Sequence, residues 1–353
     1  MMGCDVPREP WHFEFRKGDR FPALRKLSLC GYDFEEIPFP DAWTMEGTWE
    51  YTAYQAFSKV KSFLTPSGLA VRETNLERWL DAMDFSNLEE LSLTQDYPPL
   101  YERLQDQLPN LKRLSLICDN TGKYMKPEHQ EFLRKVPPLE KLSIGLGSPE
   151  RLLDEQANRT QFPVQELVES HGRKLSSLSL QQSESRAPGQ RRSMLTLDEL
   201  ALLKDGCPSL KHLGLDLYRD EEVGWPNATF DALTGFKTLE TMELAFELGD
   251  DLHRRNEPGW NEYRDPDPLG GPGPFREPRL SLNVSEALFN DLSHKKEGRP
   301  LQGVDFLVGE YTDPASVRPM YIPSWGDERG AKFECRAAID EDGRHCKAFY
   351  SLE

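Results

Sequence analysis

The chain has little of what several common functional classes need. No apolar run approaches the ~18 residues of a membrane span. The start, MMGCDVPREPWHF, lacks the apolar centre of a secretory leader. Only 43 Lys and Arg stand against 60 Asp and Glu, a net charge of −17. Phosphate contacts need clustered cations, so nucleic acid is not an expected partner, and neither is an anionic membrane surface. Six cysteines (Cys4, Cys30, Cys118, Cys207, Cys335 and Cys346) are scattered through 353 residues without a C-x2-C pair. Reduced thiols in an intracellular protein, cytoplasmic or nuclear, are the expectation. The sequons at Asn158, Asn227 and Asn283 then count as chance matches.

Signatures of catalysis are equally scarce. Seven histidines are dispersed and none falls in an HExxH pair. Gly270, Gly271 and Gly273 lie in a Pro-rich stretch, not between a strand and a helix, so they make no phosphate loop. Cys335 with His345-Cys346 has neither the paired spacing nor the fourth ligand of a structural zinc site. The two cysteines read instead as cross-strand neighbours on a hairpin. No cofactor, metal or enzymatic activity is expected.

What the chain does have is a repeated phrase. FPALRKLSL (21–29), FSNLEELSL (85–93), LPNLKRLSL (108–116), VPPLEKLSI (136–144), GRKLSSLSL (172–180), CPSLKHLGL (207–215) and FKTLETMEL (236–244) share one LxxLxL frame. A degenerate copy, GRPLQGVDF, spans 298–306. The leading leucines lie 64, 23, 28, 36, 35, 29 and 62 residues apart, so each large gap has room for an eroded copy. PRLSL (278–282) fits the second gap and no clean copy fills the first. Mean hydropathy is only −0.65. The leucines, however, sit where a core grown repeat by repeat needs them.

Alternation at the end of each phrase predicts a short strand with its leucines inward. Between the phrases lie helical stretches. NLERWLDAM sets Leu76, Trp79, Leu80 and Met83 on one face, PPLYERLQDQL sets Leu100, Leu104 and Leu108 four apart, and PVQELVESH repeats the spacing with Val164, Leu167 and Val168. TLDELALLKDGC opens with Thr196 and Glu199 in capping-box spacing and stops at Gly206. Strand, turn and helix at this period predict an α/β leucine-rich-repeat solenoid, with parallel strands on a concave face and helices on the convex one. The Asn or Cys that usually ties neighbouring turns after the last leucine is missing, so an irregular arc of eight or nine repeats is expected.

The expected layout is a lead-in (1–20), the solenoid (21–310) with insertions at 39–68, 181–195 and 249–278, and a cap (311–353) whose hairpin turns at Asp342-Gly343. The Pro-rich 249–278 and the polar 181–195 read as mobile. Outward strand positions form two columns. One holds Lys26, Glu90, Arg113, Lys141, Ser177, His212 and Thr241, and the other Ser28, Ser92, Ser115, Ser143, Ser179, Gly214 and Glu243. Asp216 follows beyond the last leucine on the same face. Arg113 and Lys141 in consecutive repeats are expected side by side, either as a basic pair able to hold an acidic or phosphorylated motif or as an ordinary solvated face.

From Phe21 onward the chain resembles fungal F-box/leucine-rich-repeat-type proteins. The resemblance rests on the repeated phrase, on MDFSNLEELSL after a Trp-bearing helix, and on the tail RLSLNVSEALFNDLSHKKEGRPLQGVDFLVGEY followed by MYIPSWGDERGAKFEC. It implies a non-catalytic protein-binding module, the substrate-receptor part of a ubiquitin ligase subunit. The residues MMGCDVPREPWHFEFRKGDR do not match an F-box, so a ligase adaptor is expected as partner only if one lies upstream. A structural scaffold unconnected to ubiquitin is the alternative. Under the first reading the partner-binding residues are Lys26, Ser28, Glu90, Ser92, Arg113, Ser115, Lys141, Ser143, Ser177, His212, Asp216 and Glu243.

Overall fold

A computed structural model describes residues 18–29, 75–93, 97–118, 125–146, 162–182, 192, 194–219, 224–246, 278, 280–309 and 331–350. The expectations for 39–68 and 249–277, and for most of 181–195, lie outside them.

Each LxxLxL phrase ends in a strand. These are β1 (Lys26–Leu29), β2 (Glu90–Leu93), β3 (Arg113–Cys118), β4 (Lys141–Leu146), β5 (Ser177–Gln182), β6 (His212–Leu217), β7 (Thr241–Phe246) and β8 (Gly303–Val308). They hydrogen-bond in chain order, all parallel, and β9 (Ala331–Arg336) and β10 (Cys346–Tyr350) extend the sheet antiparallel. Among the described residues seven helices alternate with the parallel strands: α1 (Asn75–Ala82), α2 (Pro98–Leu104), α3 (Pro127–Lys135), α4 (Val164–His171), α5 (Leu197–Gly206), α6 (Asn227–Thr234) and α7 (Leu282–Lys295). From α2 onward each helix touches the next, giving one helical layer.

The core lies between sheet and helices. Leu91, Leu114, Leu142, Leu178 and Leu213 are all buried and occupy one sheet row in register. The leading leucines turn inward just before each strand, and those from Leu88 to Leu301 are buried. Helical apolar faces meet them, with Trp79, Leu100, Phe132, Leu167, Leu203, Leu233 and Phe289 all buried. α2 and α3 start on prolines, whose missing N–H costs nothing in a first turn. α5 carries the expected capping box between Thr196 and Glu199. Its last residue is Gly206, where any Cβ would stand 2.1 Å from Cγ1 of Val168 on α4.

Two sequence expectations are corrected. PRLSL is not an eroded strand: Leu280 is buried, but Ser281 caps α7, its Oγ accepting from Val284 N at 3.4 Å. The helical spacing that follows outweighs a short apolar phrase. No further strand stands in the sheet between β1 and β2 or between β7 and β8, since Lys26 pairs directly with Glu90 and Thr241 with Gly303.

Ties between repeats do exist, but at the N-terminal ends of the strands. The Glu89 carbonyl accepts from the amides of both Lys112 and Arg113, at 2.9 and 3.0 Å. The same fork recurs from Arg25, Lys112, Glu140, Ser176, Lys211 and Glu240 to the following repeat. Side chains just before the leading leucine add a second tie. Asn87 donates to the Pro22 carbonyl, Asn110 to Ser86 and Thr238 to Pro208, each from the third residue of its phrase to the second residue of the phrase before.

At the far end β9 and β10 form a hairpin around Gly343, which adopts φ of 77°. The Asp340 carboxylate accepts from Asp342 N and Arg344 N across that turn. Cys335 and Cys346 face each other in register and are joined as a disulfide. That corrects the expectation of six reduced thiols, because cross-strand neighbours in a hairpin are already within bonding reach. Cys118 and Cys207 are free and buried, and burial pushes the Cys207 thiol up to about 11. No helix of the described residues is long and apolar enough to cross a membrane.

Candidate functional site

Strand alternation sends every second side chain away from the helices, and parallel pairing aligns them into columns across the sheet. The first column runs Lys26, Glu90, Arg113, Lys141, Ser177, His212, Thr241. The second runs Ser28, Ser92, Ser115, Ser143, Ser179, Gly214, Glu243 and continues through Asp305 and Glu334. A third arises because β3 to β8 run two residues past the leucine phrase, and it includes Ile117, Gly145, Gln181, Asp216, Ala245 and Leu307. The structure therefore brings all twelve expected site residues onto one sheet face.

Much of the charge on that face is already matched. Glu90 stands between Lys26 (3.1 Å) and Arg113 (2.9 Å) on its two neighbouring strands. Hydrogen bonding from Lys26, with help from Arg113, holds its carboxyl below the usual range. The expected basic pair is corrected accordingly. Arg113 and Lys141 do lie opposite each other. The Arg113 guanidinium, however, turns to Glu90, since an ion pair is favoured over a second cation. Among the described residues Lys141 is exposed and makes no ion pair.

Toward β8 the pattern repeats with other residues. Asp305 pairs with Lys332 (3.2 Å) and with Arg336, and Lys332 also meets Glu334 at 2.6 Å. Burial pulls Lys332 down, but its bonds to Glu334 and Asp305 outweigh this and raise it. Between the two charged ends sits His212, half-buried, with Nδ1 3.0 Å from Thr241 Oγ1. Burial lowers its pKa, and Lys141 pushes the same way against Glu243 and Asp305. Glu243 is held by Gln181, whose Nε2 donates to it at 2.5 Å.

Asp216 departs most from expectation. It occupies an outward position, yet it is buried, as is Arg192, which bonds to it. Arg192 Nη1 donates to Asp216 Oδ1 at 2.9 Å and Nη2 to the Gly309 carbonyl at 3.2 Å. The Gln182 amide donates to Asp216 Oδ2 at 2.5 Å. Sequence reasoning missed Arg192, Gln181, Asp305, Lys332, Glu334 and Arg336. The last four were within reach, Asp305 because GRPLQGVDF continues the frame, and Lys332, Glu334 and Arg336 because a hairpin continuing the sheet must continue its columns. Nothing in QRRS distinguishes Arg192.

Cys335 and Cys346, read as cross-strand neighbours, are joined as a disulfide, and His345 Nδ1 lies 3.1 Å from the Arg336 carbonyl. No group of three or more His, Cys, Asp or Glu among the described residues is placed to hold a metal ion. No protein-family model matches the chain, and neither does any curated protein.

Proposed function

We propose that this protein is a non-catalytic recognition module of the leucine-rich-repeat kind, binding a protein partner on the outward sheet face. The observation that carries the reading is the alignment of polar side chains in register over consecutive parallel strands. Helix faces diverge from one another, whereas these columns offer adjacent strands to a single ligand. The centre of the face, from β4 to β6, is the part whose polarity is not consumed by strand-to-strand ion pairs. Lys141, Ser143, Ser177 and His212 lie there, and they favour an acidic or phosphorylated segment. The resemblance to F-box/leucine-rich-repeat-type proteins supports a role as the substrate-receptor region of a ubiquitin ligase subunit, with an adaptor partner conditional on an F-box upstream.

The test is capture by the immobilised protein, with bound proteins quantified by mass spectrometry. Ser115→Arg with Ser143→Arg would fill the middle of the face with bulk, while Gln165→Arg changes an exposed position on α4. Loss of specific captures in the first variant but not the second is the expected result, given unchanged melting of both. Equal capture by all three proteins would remove the face as the binding surface.

A further inference from the structure

We propose that Asp216 is the floor of a guanidinium-binding site that Arg192 of the same chain occupies, and that a partner's arginine binds by displacing it. The proposal rests on reading the outward face as the recognition surface. Asp216 belongs to that face by position, with Ala245 beside it on β7 and its own neighbours in the strand, Leu215 and Leu217, turned to the core. Its side chain is 0% exposed and that of Arg192 is 6% exposed. A carboxylate so placed demands a matched cation, because an unpaired buried charge is strongly unfavourable.

The acceptors are arranged for a planar fork. One Arg192 nitrogen reaches the carboxylate and the other a backbone carbonyl, Gly309, just past the end of β8. An ammonium is a point charge and satisfies the pair of acceptors less well than a guanidinium. The carboxylate itself is pre-set, since the Gln182 amide fixes its other oxygen.

Two features mark Arg192 as a replaceable occupant and not a built-in part of the sheet. The other ion pairs on the outward face join residue to residue within strands: Glu90 with Lys26 and Arg113, and Asp305 with Lys332 and Arg336. The cation at Asp216 alone comes from outside the strands, among the described residues. Nor does α5, which follows Arg192, depend on it, because Thr196 and Glu199 cap that helix by themselves. Tethering gives Arg192 a high effective concentration, so a competing arginine is held off until it brings further contacts of its own.

The experiment is chemical rescue of Arg192→Ala, read as thermal melting with ethylguanidinium and, at matched ionic strength, ethylammonium. The variant should melt below the wild type. About 10 mM ethylguanidinium should raise its Tm by a few degrees, as expected for a ligand of the native state only. Ethylammonium should not do so, and neither wild type nor the Arg192→Ala, Asp216→Asn double variant should respond to ethylguanidinium. A fluorescent peptide with one arginine should bind Arg192→Ala about tenfold or more tighter than wild type, the competing tether being gone. If Arg192→Ala does not fold, Arg192→Gln, which keeps one donor, replaces it in the same titration. Absence of a guanidinium-specific rise, or failure of both variants to fold at saturating ethylguanidinium, makes the pair a structural staple and overturns the proposal. Rescue requires no partner, so its failure leaves the Ser115 and Ser143 capture result standing.

Discussion

His171 makes the stability of the fold dependent on mild acid. It closes α4, is 1% exposed, and accepts a hydrogen bond on Nδ1 from the Leu139 amide at 3.4 Å. Protonation would place a hydrogen on Nδ1 facing another N–H, and would bury a charge. Burial is the larger cause and drives the pKa from 6.5 down to about 4, a backbone hydrogen bond at Leu133 opposing it slightly. The unfolded chain therefore takes up the proton before the native one does. Stability from this ring is fully present above pH 6.5 and is lost as pH falls toward about 4. At 1.36 kcal/mol per unit, the loss over that window is about 3 kcal/mol. Urea denaturation across the window should show it by comparison with His171→Asn, whose amide oxygen can accept from Leu139 but does not titrate. Acid effects of carboxylates common to both proteins cancel in the difference. Parallel pH profiles for the two proteins would refute the reasoning.

Other perturbations follow from the same packing. Leu178→Ala, at a site 0% exposed, should cost about 2–5 kcal/mol in urea melts, whereas Leu197→Ala, 50% exposed, should cost less than about 0.5 kcal/mol. Asn110→Ala removes the tie to the Ser86 carbonyl and should lower stability by about 1 kcal/mol, with no change in far-ultraviolet circular dichroism. Reduction of the Cys335–Cys346 bond, which spans 11 residues, should lower Tm, the loss being about 2–3 kcal/mol on loop-closure grounds.

The leucine frame made the strands, their order and their inward faces legible, because a two-residue alternation fixes side-chain direction once pairing is parallel. α5 was legible down to its cap, since Thr196 and Glu199 act within one turn. What lay hidden depends on contacts distant in sequence. The two residues added to β3–β8 are not leucine-rich on both faces, so Gln181 and Gln182, the end of β5, read as the start of the polar loop at 181–195. Arg113 was read as half of a basic pair because repeat spacing shows neighbours on both sides but not which one its long side chain chooses. The tie from Asn87, Asn110 and Thr238 was missed for a simpler reason: it precedes the leucine phrase, and it was sought after it.

The forked carbonyls at the strand starts have a consequence for how the molecule comes apart. Each fork locks one unit to the next, so opening any pair in the middle breaks contacts on two sides, while an end unit loses them on one. Melting should then travel like a zipper from an end. Among the described residues β1 has only β2 beside it, while β8 is backed by a cross-linked hairpin that α7 also touches. Amide hydrogen exchange should accordingly be graded along the array, quickest at Glu89 and Glu90 and slowest near Lys211 and Thr241, so that a ligand lying across β4–β6 would press against a sheet that stiffens toward β6.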